Sequence, residues 1–406
     1  MNGTNLFKIA LRALDNNKMR GFLTMLGIII GVASVITMLA IGQGSKRSIQ
    51  SQISEMGSNI ITIQPGGDRR GGVRLDASSM ETLKLDDYEA IRNQARYVDM
   101  ISPTVNSSGQ VIYGANNTPT TVYGVNNDYL DIRKYTIAEG DIFSEQDILA
   151  SAKVCLLGQT VIDELFSNGE NPVGKVIRFN KIPLVITGTL VAKGYNSMGM
   201  DQDNLILAPY TTIQKRVLAI THLQSITCSA LREEYTEEAI DEITEILRET
   251  HKLQPGTDND FQIRSTQELS EMLASTTDMM TILLAAVAGI SLLVGGIGIM
   301  NIMFVSVTER TKEIGLRMSI GAKGRDILAQ FLIEAILISV TGGLIGVLFG
   351  IGAALLVNVI VHFPIYIQPW SIILSFAVCT FTGVFFGWYP AQKASGLDPI
   401  EALRYE

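Results

Sequence analysis

From Met279 to Val307 the chain runs without a single charged residue, and the apolar stretch is longer than a bilayer needs. At ~1.5 Å per helical residue it exceeds a hydrocarbon core of roughly 30 Å. In lipid the backbone must satisfy its own hydrogen bonds, so this stretch is expected to be one transmembrane helix. At Thr308 the character changes, and Arg310, Lys312, Arg317, Lys323 and Arg325 all fall before a new apolar run begins at Ile327. A short basic connection of this kind is retained on the cytoplasmic side.

The whole chain has 406 residues, 47% of them hydrophobic, and a formal net charge of −8. Its mean hydropathy is +0.26, too apolar for an ordinary soluble protein and too polar for a chain wholly in lipid. Ser45 to Asp278 carries 21 Lys/Arg against 32 Asp/Glu, net −11, and the remainder carries 11 against 8, net +3. One large acidic soluble domain is therefore expected on a basic membrane base. That balance argues against nucleic-acid binding, which needs a clustered basic face.

Read in order, residues 1–20 place Leu6, Ile9, Ala10, Ala13 and Leu14 at helical spacing among Lys8, Arg12, Lys18 and Arg20. This pattern predicts an amphipathic cytoplasmic helix lying on membrane lipid. An uncleaved first span follows over 21–44, with the N-terminus inside and Ser45 onward outside. The domain over 45–278 opens with a helical stalk, Ile49, Ile53 and Met56, ended by Gly57, and closes with another, where Ser265 and Glu268 have capping-box spacing. Between the stalks, strands are expected at 59–64, 110–113, 120–125, 153–157, 175–179 and 184–190, with a helix opening at Asp86. A strand at 223–231, a helix capped by Thr236 with Ala239, Ile240, Ile243, Ile246 and Leu247 inward, and a strand at 261–264 read as a β-α-β module. Further spans are expected at 279–307, 327–361 and 370–389, with a cytoplasmic connection at 308–326, an external loop at 362–369 and a cytoplasmic tail at 390–406. The fold class is thus an α-helical membrane domain of four transmembrane helices plus a large α+β domain.

Several motifs weaken on inspection. Gly169 to Lys175 imitates a phosphate-binding loop but lacks the following Ser or Thr and contains Pro172, so a turn before a strand is the better reading. Gly194 to Gly199 imitates a nucleophile elbow with one residue too many and no nearby His, which leaves a loop. Cys155, Cys228 and Cys379 form no CxxC pair, and His222, His251 and His362 are scattered, so no metal site is read. Two buried cysteines is the simpler account of Cys155 and Cys228; their disulfide would need an oxidising compartment. No nucleophile, metal cluster or paired catalytic carboxylates remain, and the chain is not read as an enzyme.

Small residues are more telling. Gly27 and Gly31 in span one, Gly342, Gly346 and Gly350 in span three, and Gly383 and Gly387 in span four have GxxxG spacing, which serves intrachain packing and dimerisation equally well. Glu334, with Gln330 a turn before it, lies ~12 Å into span three from Asp326 at helical rise. A carboxylate there either has a function or snorkels towards Arg317 or Arg325.

LTMLGIIIGVASVI, ISLLVGGIGIMNIMFVSVTERTKEIGLRMSIGA, QFLIEAILISVTGG and FGWYPAQKASGLDPIEALRYE, in this order, resemble the MacB-type ABC transporter permeases of the FtsX-like superfamily. GQTVIDELFSNGENPVGKVIRF and the β-α-β module are similar to the MacB-like periplasmic core, which would make the module porter-like. The resemblance implies a dimer, of two copies or with a paralogous permease, that works by mechanotransmission and expels a hydrophobic, peptide-like or macrolide-like substrate. It makes Glu309, Arg310, Lys312, Glu313 and Arg317 the segment that couples to a cytoplasmic ABC ATPase. It also implies that ATP and magnesium bind on that partner, which is expected to be a separate subunit because no ATP-binding motif precedes the first span, and that this chain binds no cofactor. Family partners further include a periplasmic adaptor and a TolC-like outer-membrane channel. An FtsX-like regulator of a cell-wall hydrolase and a lipoprotein-releasing permease are the alternatives within the same superfamily.

Overall fold

The computed structural model describes residues 18–66, 69–70, 73–74, 81–167, 169–195, 199–361 and 364–404. The amphipathic helix expected over residues 1–20 lies outside the described residues up to Asn17, as do His362 and the centre of the Gly194–Gly199 loop. The chain divides into two compact units, Ile49–Met272 and Met1–Ser48 with Leu273–Glu406.

Four helices are long and apolar enough to cross a membrane: α1 (Lys18–Met56), and three later ones labelled below in chain order. The first and second of these have 39 and 44 residues, well beyond the ~20 that a crossing requires. Apolar composition alone would allow shorter helices. The extra length comes from the polar but helix-compatible runs 45–56 and 266–278, which contain no Pro. At the far end of α1, Gly57 has φ +103, a backbone state that a residue with a Cβ rarely adopts.

Within Ile49–Met272, strands β1 (Ile60–Pro65), β4 (Val98–Tyr113), β5 (Asn116–Val125), β6 (Ile137–Gly140), β7 (Val154–Leu157), β8 (Val176–Phe179), β9 (Ile182–Leu190), β10 (Leu205–Pro209), β11 (Ser225–Ala230) and β12 (Phe261–Ser265) form one sheet. The two-residue strands β2 (Arg69–Arg70) and β3 (Val73–Arg74) pair separately. The sheet has two regions. At one end β12, β1, β11 and the first half of β4 are all antiparallel neighbours. At the other, β4, β5, β10, β7, β9 and β8 pair in succession, and β8 pairs back onto β4, so six strands close a ring. Val111, Val122, Cys155, Leu157, Phe179, Ile186 and Ile206, all buried, are part of the main core cluster.

Four of the described helices connect these strands in the chain: α2 (Leu85–Gln94), α3 (Asp128–Ile132), α4 (Glu145–Ala150) and α5 (Gln159–Leu165). A fifth, α6 (Thr236–Thr250), buries Ala239, Ile243, Ile246 and Leu247 at helical spacing; Glu237, Glu238, Asp241 and Glu245 face outward, while Glu242 accepts the Arg96 and Tyr97 N–H groups. Strands β11 and β12 are both antiparallel to β1, which lies between them, so the expected β-α-β module is split by an intervening strand.

Some local expectations change. Asp86 does not open α2; Lys84 precedes the helix, and Asp87 accepts the Lys84 N–H at 2.7 Å. Thr236 does not cap α6, because a 3₁₀ turn at Glu233–Tyr235 comes first and the Thr236 hydroxyl donates back to the Glu233 carbonyl. Ser265 does cap the next helix, accepting the Glu268 N–H at 3.0 Å. Gly174 has φ +82 and Lys175 donates to the Pro172 carbonyl, as a turn requires. All three cysteines are buried free thiols. Burial pushes the Cys228 thiol up to about 12 and Cys155 higher still, which keeps both protonated and unreactive.

One ionic contact ties three elements together. His251 follows α6; its Nδ1 is 2.7 Å from Asp260 before β12, and its Nε2 is 3.2 Å from Asp87 in α2. The Asp87 carboxylate first, and Asp260 with it, hold the imidazolium, outweigh the opposing effect of burial and raise its pKa from 6.5 to about 9. A raised folded-state value means that the stabilisation is complete below pH 6.5 and is lost as pH rises through 9. After allowance for solvent screening, the loss is expected to be roughly 2 kcal/mol. Unfolding of the wild type should therefore become easier between pH 6.5 and 9, and His251→Asn should remove that slope; an unchanged slope in the variant would assign it to other groups.

Candidate coupling site

The polar residues singled out in the sequence meet where three helices join. The second long helix, α7 (Thr266–Glu309), stops at Arg310, whose backbone (φ −104, ψ 15) departs from helical values. A short helix, α8 (Thr311–Ser319), then begins, with the Thr311 hydroxyl donating to the Val307 carbonyl across the break. Gly321, at φ +107, ends this turn of chain, and α9 (Gly324–Val361) starts with Asp326 accepting the Lys323 N–H. The expected connection over 308–326 is thus mostly helical. The last two elements are α10 (Pro369–Ser395), which continues through Pro390 and therefore beyond the expected end of span four, and α11 (Pro399–Arg404).

The break turns Arg310 back towards α9. Its Nη1 lies 3.4 Å from Glu334 Oε2, and the Glu334 side chain is only 6% exposed. Arg317, two turns along α8, donates to Gln330 Oε1 at 2.9 Å and to Glu313 Oε1 at 2.5 Å. Neither Arg317 nor Arg325 pairs with Glu334, contrary to the snorkelling expectation; the kink at residue 310 brings a nearer guanidinium. Two parallel links, Arg310 to Glu334 and Arg317 to Gln330, therefore clamp α8 onto the first turns of α9. Gln330 is buried and its Nε2 has no partner among the described residues. Glu309, Lys312 and Glu313 are exposed, Glu313 beside its partner Arg317.

The sequence reading missed the apolar part of this site. Gly315 packs on α11, where a Cβ would stand 2.8 Å from that of Ala402. Around this contact Leu316, Ile320, Ile400 and Leu403 are exposed by 54%, 79%, 67% and 45%. The signal was the i, i+4 spacing of Leu316 and Ile320 and the i, i+3 spacing of Ile400 and Leu403. Large apolar side chains gathered beside exposed charges are the composition of a protein contact.

The small residues pack helices of the same chain. Gly27 lies against Gly295 and Gly31 against Leu292, joining α1 to α7. Gly342, Gly346 and Gly350 receive Ile28, Val32 and Ala33 of α1, and the Thr37 hydroxyl donates to the Gly350 carbonyl at 3.1 Å. Gly383 and Gly387 of α10 receive Ser339 and Ala335 of α9.

Comparison with known proteins agrees with both units. The MacB-like periplasmic core domain matches residues 22–246 and the FtsX-like permease C-terminal domain matches residues 285–399. The macrolide export ATP-binding/permease protein MacB of Syntrophobacter fumaroxidans is 43% identical over 98% of this chain and 63% of its own length. MacB of Bdellovibrio bacteriovorus is 41% identical over 97% and 61%. The periplasmic region of MacB from Actinobacillus actinomycetemcomitans aligns with a TM-score of 0.46 and 24% identity, over 55% of this chain and 97% of that one. The chain spans about three fifths of the length of the curated relatives it matches. The two family matches and the four apolar helices among the described residues define a permease of the inner membrane with a periplasmic domain. The chain belongs to the MacB-type family of ABC transporter permeases.

Proposed function

We propose that this chain is the membrane-spanning half of a mechanotransmission exporter. A cytoplasmic ABC ATPase, holding the ATP and magnesium, docks on α8. Its cycle moves α8, the two polar links pass the motion to α9, and the unbroken helix α7 carries it outward. The periplasmic unit, with its split β-α-β edge as the porter-like part, then drives efflux of a hydrophobic, peptide-like or macrolide-like substrate. The relatives' printed name, macrolide export, supports this class of cargo over regulation of a cell-wall hydrolase. Both termini face the cytoplasm, the working unit is a dimer with a second copy or a paralogue, and an adaptor with a TolC-like channel completes the route.

The observation that carries the coupling assignment is α8 itself: clamped on one side by Arg310 and Arg317, it presents Lys312, Leu316 and Ile320 on exposed positions. Arg310 is a poor probe of docking because its change would also disturb Glu334. Co-expression with the cognate ATPase, followed by an ATPase assay of Leu316→Asp with Ile320→Asp, gives the test. Stimulated hydrolysis is expected to fall about ten-fold or more, as loss of a central apolar contact does, with the chain itself still folded. Full stimulation and co-purification in that variant would refute docking on α8.

A further inference from the structure

Where β1, β11 and β4 run side by side, the sheet has two unlike faces. Ile61 opposite Cys228 and Ile63 opposite Ile226 are fully buried in the core. The alternate pairs, Thr62 with Thr227 and Ser225 with Thr104, point the other way, as the two-residue period dictates. An antiparallel sheet commonly leaves such a polar face to water. Here Thr227 is only 2% exposed and Thr104 7%. Helix α3 packs on β4 and β11, and its end brings Tyr129 and Arg133 over the hydroxyls. A cavity of about 320 Å³ remains between them.

The chemistry of this cavity is one-sided. Among the described residues Arg133 is the only charged one in its wall; the others are mainly hydroxyl and amide side chains, including Gln64 and Gln224, and none is a carboxylate. The Arg133 Nε is buried without a partner among the described residues, and no described carboxylate pairs with the guanidinium. Its aromatic neighbour, Tyr129, has its ring centroid 5.9 Å away and its phenol oxygen accepts a hydrogen bond from the guanidinium; burial raises the phenol pKa, so this partner is a neutral one. A buried donor without a partner calls for an explanation, because most such groups in native proteins are satisfied. A guanidinium offers planar paired donors that match carboxylate and phosphate oxygens.

We propose that this cavity binds the oxyanion group of a small ligand, a carboxylate or a phosphate, on Arg133, with Thr62, Thr227, Gln64 and Gln224 supplying further donors. The site goes beyond the coupling reading, since binding there requires neither an ATPase nor a second copy.

Calorimetric titration of the full chain in detergent micelles tests it with three probes: inorganic phosphate, N-acetyltriglycine, and the C-terminal amide of the latter as an uncharged control. Saturable binding of phosphate, of the free carboxylate, or of both is expected, and the stronger of the two names the source of the oxyanion. The amide should be silent. Arg133→Lys should weaken binding about ten-fold, because the paired donors are lost, Arg133→Met should abolish it, and Thr227→Val should weaken it several-fold. Circular dichroism and melting report whether each variant folds, and if Arg133→Met does not, Thr227→Val decides. Absence of saturable binding by either anion, equal binding of the amide, or unchanged affinity in a folded Arg133→Met or Thr227→Val protein would overturn the proposal.

Discussion

Arg310→Ala is expected to cost the purified chain about 3–5 kcal/mol of stability, and Glu334→Gln added to it to restore most of that loss. The reason lies in what is left behind. Glu334 is nearly enclosed, and Arg310 at 3.4 Å is its only cationic partner among the described residues. Removing the guanidinium strands a carboxylate in a region that water reaches poorly, whereas a neutral amide needs no counter-charge. Glu334→Gln alone should cost much less, since the amide oxygen still accepts from Arg310. Unfolding of the four proteins in detergent completes the cycle, and equal costs of Arg310→Ala in both backgrounds would show that the two groups are not coupled.

The second large effect concerns Gly27. A Cβ at this position would lie 2.9 Å from the Gly295 Cα, and one at Gly295 would lie 3.0 Å from the Gly27 carbonyl carbon. The obstacle on each side is backbone, which cannot swing away as a flexible side chain would. Gly27→Leu must therefore part α1 from α7 and loosen Ile28, Val32, Leu292 and Ile299, which share the buried core of the membrane unit. A loss of about 3 kcal/mol is expected, at the upper end of overpacking effects. Gly352→Leu is the matched control, because nothing lies within 4 Å of its added Cβ. Melting in detergent should drop for Gly27→Leu and stay near the wild-type value for Gly352→Leu. Equal melting of the two variants would mean that the α1–α7 approach is not what holds the unit.

Much of this architecture is written in local pattern. Charge-free runs announce the four apolar helices, and short runs rich in apolar and β-branched residues announce β1, β5, β7, β9 and β11, because both signals depend on near neighbours in the chain. Strand β10 escaped notice: Leu205–Pro209 is buried throughout, so it shows no alternation. The closure of β8 onto β4 joins residues more than sixty positions apart and has no local signature. The candidate site divides in the same way. Its residues were found from charge against an apolar background, but their partners were not, since the choice of Arg310 over Arg317 for Glu334 is made by a backbone break that no single residue type announces. Arg133 stayed hidden among surface charges for a similar reason: only the fold shows that its described neighbours in the cavity wall carry no carboxylate.

Strand β4 belongs both to the open antiparallel end of the sheet and to the closed ring of six strands: its first half pairs with β11, its second half with β5, and Val111 and Ile112 pair with β8 on the edge opposite β5. Neither region can unzip without breaking hydrogen bonds of the strand they share. Amide protons in the middle of β4 should accordingly be the slowest of the Ile49–Met272 unit to exchange with heavy water, and should exchange together, because they open only when the unit unfolds as one.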